Sequence, residues 1–197
     1  MAKIVDKEQK KQAIALACKD LVLTKGLHEL TVSQMAEAAN VGKGTIYEYF
    51  NNKEEIVFEL ARILIEEHIS KLQKQISKKQ NTREKIKAFS AFFYDESQSE
   101  LREIYKQFIA LTLLHPKKEI LEFNAKSIQQ YHSWLISILE EGVEKKELKK
   151  EILDLGDGFC SIGDGMFIKT KITDESSNLQ QKIDRYIDAV FDLMEQK

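Results

Sequence analysis

The sequence is poor in the residues that punctuate a chain: one proline and eight glycines in 197 positions. That scarcity excludes a protein of many short strands, which needs turn chemistry at every reversal. With Lys, Glu, Leu and Ile dominant, the composition points to helices. Cysteine is scarce too. Cys18 and Cys160 lie far apart in apolar helical patterns and are expected to be buried free thiols. No run approaches the ~18 apolar residues of a membrane span. The opening MAKIVDKEQKKQ has no apolar stretch of the secretory kind, so a cytoplasmic protein is expected. There is no Cys/His spacing suited to zinc, no phosphate-binding glycine loop and no G-x-S-x-G, so neither an enzyme nor a cofactor or metal site is expected. Positive charge is not in excess either: the formal net charge is −2, and the chain as a whole is not a basic nucleic-acid binder.

What is present is unevenly placed. Residues 1–53 hold eight lysines against six acids, and the remainder is correspondingly acidic. The N-terminal part is therefore the place for a polyanion. With 43% hydrophobic residues the chain can build a core in one or two domains. The apolar spacing predicts an all-α protein. A first helix runs over 7–25, closed by Lys25-Gly26, and a second follows Thr31 as its N-cap. Asn40-Val41-Gly42 is a tight turn with both Asn40 and Gly42 suited to the left-handed region. A short helix from Lys43 to Phe50 comes next, and a long one over about 53–78 that Asn52 can cap. After the linker KKQNT, with Asn81 or Thr82 as cap, a helix carrying Ile86, Phe89, Phe92 and Phe93 follows, and then helices at about 99–114, 117–146, 151–172 and 175–196. His115-Pro116 stops the 99–114 helix, because a residue before proline is pushed out of helical geometry.

The stretch NVGKGTIYEYFNNKEE, residues 40–55, carries the chemistry. Helix, glycine-bearing turn and short second helix make a helix-turn-helix unit over Thr31–Phe50. At 100° per residue, Ile46 and Phe50 point inward, and Gly44 and Glu48 point outward. Thr45 and Tyr47 flank the outward face, and Tyr49 lies at the edge of the inward one. Gly44 takes a side chain off the outward surface, so another body can approach closely. Hydroxyls on Thr45 and Tyr47 and the ammonium of Lys53 suit phosphate. Glu48 can accept a hydrogen bond from a base donor such as cytosine N4, or pair with a neighbouring cation.

TVSQMAEAANVGKGTIYEYFNNKEEIVFEL resembles the DNA-binding domain of the TetR family of transcriptional repressors. A threonine-led helix, a valine turn, Lys-Gly-Thr-Ile-Tyr-x-x-Phe and a following Lys-Glu carry the likeness over about residues 8–65. The resemblance implies a DNA-binding domain over 1–52 and a helical ligand-binding and dimerisation domain over 53–197. It also implies DNA contacts at Thr31, Ser33, Lys43, Gly44, Thr45, Tyr47, Tyr49 and Lys53, with Glu48 added from the wheel. Gly42 stands where serine is frequent in the family and Asn40 where glycine is frequent. The function implied is a ligand-responsive homodimer that binds a palindromic operator and is released by a small, mostly apolar effector. The alternative is a DNA-bound protein controlled by a protein partner, with no small-molecule effector.

Four of the eight glycines lie in LGDGFCSIGDGMF, residues 155–167. Inside a helix they would cost on the order of 4 kcal/mol relative to alanine. Either close helix–helix approach or a helix break at a ligand site must compensate. The last helix, with Leu179, Ile183, Tyr186, Ile187, Val190 and Phe191, offers an apolar face wide enough for a two-fold bundle with a second copy, Ile187 at its seam. Phe89, Phe93, Phe108, Tyr131, Trp134 and Phe159 are the candidates to line an apolar pocket, with His115, His132 or Tyr131 as polar handles.

Overall fold

The computed structural model describes residues 2–173 and 178–196, with side chains from Lys7 onward. It is helical throughout. Among the described residues the one extended pairing is an antiparallel bridge between Leu148 and Glu195. None of their helices is long and apolar enough to cross a membrane. The described residues form ten α-helices, in order: α1 Ala2–Ala17, α2 Lys19–Lys25, α3 Val32–Ala38, α4 Lys43–Tyr49, α5 Lys53–Ile76, α6 Thr82–Ser90, α7 Ser99–Leu114, α8 Lys118–Glu144, α9 Gly156–Thr173 and α10 Leu179–Met194. The chain forms two compact units, residues 1–69 with 100–123 and residues 70–99 with 124–197.

In the first unit, Ile14, Cys18, Val22, Met35, Ile46, Phe50 and Ile56 are buried together with Leu60. The helix expected over 7–25 is two helices. At Cys18 the amide is shared between the carbonyls of Ile14 (3.3 Å) and Ala15 (3.2 Å), and the α1 ladder stops there. The Cys18 thiol lies 3.5 Å from the Met35 carbonyl, and burial pushes its pKa up to about 11. Gly26 closes α2 at φ 76, a conformation that glycine adopts without strain. Thr31 caps α3 in a full capping box. The Gln34 amide donates to its hydroxyl at 3.3 Å, and its own amide donates to Gln34 Oε1 at 3.0 Å. Asn52 caps α5, accepting from the Glu55 amide at 2.9 Å. Further along, Phe108 of α7 stacks on Phe58 of α5 at 5.7 Å and on Phe123 of α8 at 5.1 Å. Among the described residues of this unit one carboxylate is buried: Glu59, bonded by Arg62 at 2.5 and 3.3 Å and 3.8 Å from Lys11.

In the second unit, Asn81 caps α6, accepting from the Glu84 amide at 2.9 Å. Helix α10 packs on α6 and α9 through Leu179, Ile183, Ile187 and Phe191. Arg83 of α6 fixes the far end of α10, pairing with Asp192 at 2.7 Å and Glu195 at 2.8 Å. Ile187 is only 1% exposed, so it is core of this unit and not the seam of a bundle with a second copy. A wheel shows that an apolar residue faces inward, but not whether the inside belongs to one chain or two. The glycine-rich stretch is an unbroken helix preceded by a 3-10 turn over Lys150–Leu155. The helix-break reading therefore gives way to close approach. A Cβ on Gly156 would collide with Ile136, and one on Gly163 with the Phe93 ring. The other two glycines of the stretch face elsewhere: Gly165 has nothing within 4 Å of a Cβ, and Gly158 only the Tyr186 hydroxyl at 3.7 Å. The start expected for the last helix, residues 175–177, lies outside the described residues.

Candidate nucleic-acid interface

The α3–α4 pair is built by its caps and its turn. Asn40 takes the left-handed conformation at φ 52, and the Val41 amide returns to the Ala36 carbonyl at 2.9 Å. Gly42 does not share that conformation. It is the extended N-cap of α4, at φ −69 and ψ 152, with no side chain to bond the first turn. The turn needs one left-handed residue, and Asn40 supplies it.

On α4 the inward residues Ile46 and Phe50 are each 1% exposed. The Lys11 ammonium lies over the Phe50 ring, 5.5 Å from its centre. Lys43, Gly44, Tyr47 and Glu48 are exposed, and Thr45 and Tyr49 are half-buried. Thr31 and Ser33 are exposed on α3. A Cβ added to Gly44 would meet nothing within 4 Å, so nothing in the chain itself requires glycine there. The outcome is a low, hydroxyl-bearing ridge whose back is anchored in the core, a shape suited to a groove lined with acceptors and phosphates.

Lys53 stands differently. Its ammonium donates to the carbonyls of Leu27 at 3.2 Å, His28 at 3.1 Å and Leu30 at 2.9 Å. Beside it, Glu54 pairs with Lys117 at 2.6 Å. Burial raises the Glu54 carboxyl, but the Lys117 hydrogen bond, a bond from its own amide and the charges of Lys117 and Lys53 outweigh it and hold the pKa below 4.5. These residues border a cleft of about 330 Å³, with Leu27, His28, Leu111, His115 and Ile120. The His28 and His115 rings stack at 5.7 Å with planes 9° apart, so the polar handle proposed at His115 is a ring partner of His28. Gln107 of α7 donates to the Val22 carbonyl at 3.2 Å and accepts from the Leu27 amide at 3.2 Å. Nothing in the sequence signalled Gln107, because its partners lie some eighty positions away.

The six rings nominated for an apolar pocket do not share one unit. Phe108 belongs to the first, in its stack with Phe58 and Phe123. The other five belong to the second. There Phe89 meets Tyr131 at 6.2 Å and Trp134 at 5.4 Å, edge to face. Phe93 leans on Phe167 at 6.2 Å, and Phe159 meets Tyr186 at 5.8 Å and Phe191 at 6.2 Å. Helical spacing reports that a ring is buried, not which helix lies across from it. His132 Nε2 lies 2.6 Å from Asp157 Oδ1, out of line for a hydrogen bond. Burial raises the pKa of the Tyr131 phenol. Among the described residues no three His, Cys, Asp or Glu side chains gather as metal ligands would.

Residues 14–60 match the family described as bacterial regulatory proteins, tetR family. The chain is 30% identical, over 73% of its length and 73% of the relative's, to the fatty acid metabolism regulator protein of Bacillus subtilis (strain 168). Among solved structures it is similar to a TetR-family transcriptional regulator from Cytophaga hutchinsonii, with a TM-score of 0.81, 17% identity and 98% of each chain covered. It is also similar to the fatty acid degradation regulator FadR of Bacillus halodurans, with a TM-score of 0.73, 24% identity, and 92% and 94% of the two chains covered.

Proposed function

This chain belongs to the tetR family of bacterial regulatory proteins, helix-turn-helix regulators of transcription, and from that premise we propose that it is a homodimeric repressor released from a palindromic operator by a small, mostly apolar effector. The DNA-binding domain is residues 1–52 and the effector and dimer domain is residues 53–197. The observation that carries the reading is the outward face of α4. Gly44 is open to solvent, Tyr47 is 59% exposed, and Ile46 and Phe50 anchor the helix from behind. In the proposed complex Thr31, Ser33, Lys43, Gly44, Thr45, Tyr47 and Tyr49 meet the duplex, and Glu48 faces a base edge.

A dimer is what one short recognition helix needs to read two half-sites. Two exposed apolar side chains support a second copy on the last two helices: Ile172 at 77% and Leu193 at 69%. Helix α9 adds the outward Gly165. The effector reading rests on the ring-rich second unit and on the name of the Bacillus subtilis relative, a regulator of fatty acid metabolism. The effector acts by binding the DNA-free geometry more tightly than the DNA-bound one.

The test is selection of duplexes from a random-sequence pool. Enrichment of an inverted repeat, bound by two chains, is expected. Recovery of no sequence above background would refute operator binding. Adding fatty acids of graded chain length to the selected complex then tests release.

A further inference from the structure

We propose that Lys53 is a positioning residue of the DNA-binding unit and not one of its phosphate contacts. This rests on the DNA-binding reading above and departs from the role that the family resemblance assigns to Lys53. An ammonium has three N–H donors and no acceptor. All three are spent inside the chain, on the carbonyls of Leu27 (3.2 Å), His28 (3.1 Å) and Leu30 (2.9 Å).

Those carbonyls need a donor. Residues 27–29 form a single 3-10 turn between α2 and α3, too short to offer the His28 and Leu30 carbonyls an amide of its own, and Leu30 is extended. The Leu27 and Leu30 carbonyls are part-buried where Lys53 meets them, so water replaces its donors there less well than at exposed His28. Lys53 sits at the first position of α5 and is half-buried against this turn. Its stem spans the gap and its head binds three acceptors of residues 27–30 at once.

The consequence is directional. Leu30 immediately precedes Thr31, the N-cap of α3. Holding the Leu30 carbonyl fixes the point and angle at which α3 starts. The Val41 and Asn40 amides then tie the end of α3 to the turn before α4. Lys53 therefore sets the pose of the recognition helix from α5, as Gln107 does from α7 through Val22 and Leu27. Turning Lys53 toward a phosphate would strip a half-buried carbonyl of its donor, in exchange for one contact at a screened surface.

Two predictions separate the roles. A phosphate contact adds about 0.9 to the slope of log affinity against log salt, and its loss weakens all DNA alike. A positioning residue leaves the slope alone, and its loss weakens matched DNA more than random DNA. Lys53→Met keeps the stem and removes the donors. Affinity of the full-length variant is measured over a salt series for the duplex selected by the wild type and for a random-sequence duplex. Amide hydrogen exchange at residues 27–31 is followed without DNA. Expected are a loss of about tenfold or more on the selected duplex, an unchanged slope, little change on random DNA, and faster exchange at the turn. A slope flatter by about 0.9, with equal losses on both duplexes, would overturn the proposal and leave DNA binding intact. Wild-type protein that selects no duplex would refute the DNA-binding reading itself, and the exchange arm would still decide whether Lys53 holds the turn. If Lys53→Met fails to fold, Lys53→Gln, which retains two donors, is measured the same way.

Discussion

Gly44→Ala separates what the helix prefers from what a docked duplex permits. The position is helical, exposed and unobstructed: a Cβ there meets no atom within 4 Å. Alanine costs less backbone entropy in a helix than glycine, so the variant is expected to be more stable by about 0.5–1 kcal/mol. The lower figure is the better one, since Gly44 lies in the first turn of α4. For a chain of this size that is a rise in Tm of about 1–4 °C. The same methyl group stands on the ridge where α4 is proposed to approach the duplex. Forcing a methyl into a close-packed contact costs about 1–3 kcal/mol, or roughly 5–150-fold in affinity. The variant should thus melt higher and bind the selected duplex more weakly, measured by thermal denaturation and fluorescence anisotropy. Gly142→Ala serves as the contrast. Its Cβ would lie 2.6 Å from Thr82 Oγ1 and 2.9 Å from Leu148 Cδ1, so it should lower Tm. A Gly44→Ala protein that gains stability and binds the selected duplex with wild-type affinity would refute close approach at α4.

Further outcomes follow from other parts of the molecule. Leu193→Glu, on the exposed side of α10, should split the dimer in sedimentation while leaving the helical content and the fold of the chain unchanged; an intact dimer would place the interface elsewhere. Glu48→Ala should raise affinity for random DNA by removing a carboxylate that repels phosphate, and should relax preference at one base per half-site if Glu48 reads a cytosine; an unchanged base-preference profile would leave it a purely electrostatic brake. Glu54, whose folded pKa is depressed by Lys117, stabilises the fold above pH 4.5 and loses that contribution as pH falls through the lower folded value. Glu54→Gln should therefore cost about 0.5 kcal/mol at pH 7, discounted for the exposed Lys117, with the difference from wild type vanishing in acid. A constant difference across the pH series would mean that the ion pair contributes nothing.

The sequence was most legible where short-range rules suffice. Thr31, Asn52 and Asn81 are caps because each has an amide three residues on to accept from, and all three were identifiable from type and position. The inward and outward faces of α4 followed from 100° per residue, and the α7 stop followed from Pro116. Legibility ended where the partner is distant. Lys53 looks like a surface lysine until residues 27–30 are seen beside it. Nothing in the sequence pattern sets Glu59 apart from the acids of a solvated face, yet it is buried, because Arg62 one turn on and Lys11 on α1 compensate it. Phe108 was grouped with rings of the other unit, because period 3.6 gives a helix its face without naming its neighbour. Ile187 failed in the same way.

The glycines sharpen that distinction. Gly26 is needed for its backbone angle, and Gly142, Gly156 and Gly163 because a neighbour occupies the space a Cβ would take. Each of these is accounted for inside one chain. Gly42, Gly44 and Gly165 are not: their φ is ordinary and their space is empty. Gly44 and Gly165, both within helices, give up stability that alanine would return, with no gain inside the chain. A cost without an internal return is explained by something outside that comes close. Gly42 and Gly44 lie on the ridge of α4 proposed to meet DNA. Gly165 lies on the side of α9 proposed to meet a second copy, one turn from exposed Lys169 and two from exposed Ile172. If Gly165→Ala raises Tm at low protein concentration yet weakens self-association, the second surface obeys the same logic as the first. If it leaves self-association untouched, the glycines of α9 require another account, and the dimer proposal rests on Ile172 and Leu193 alone.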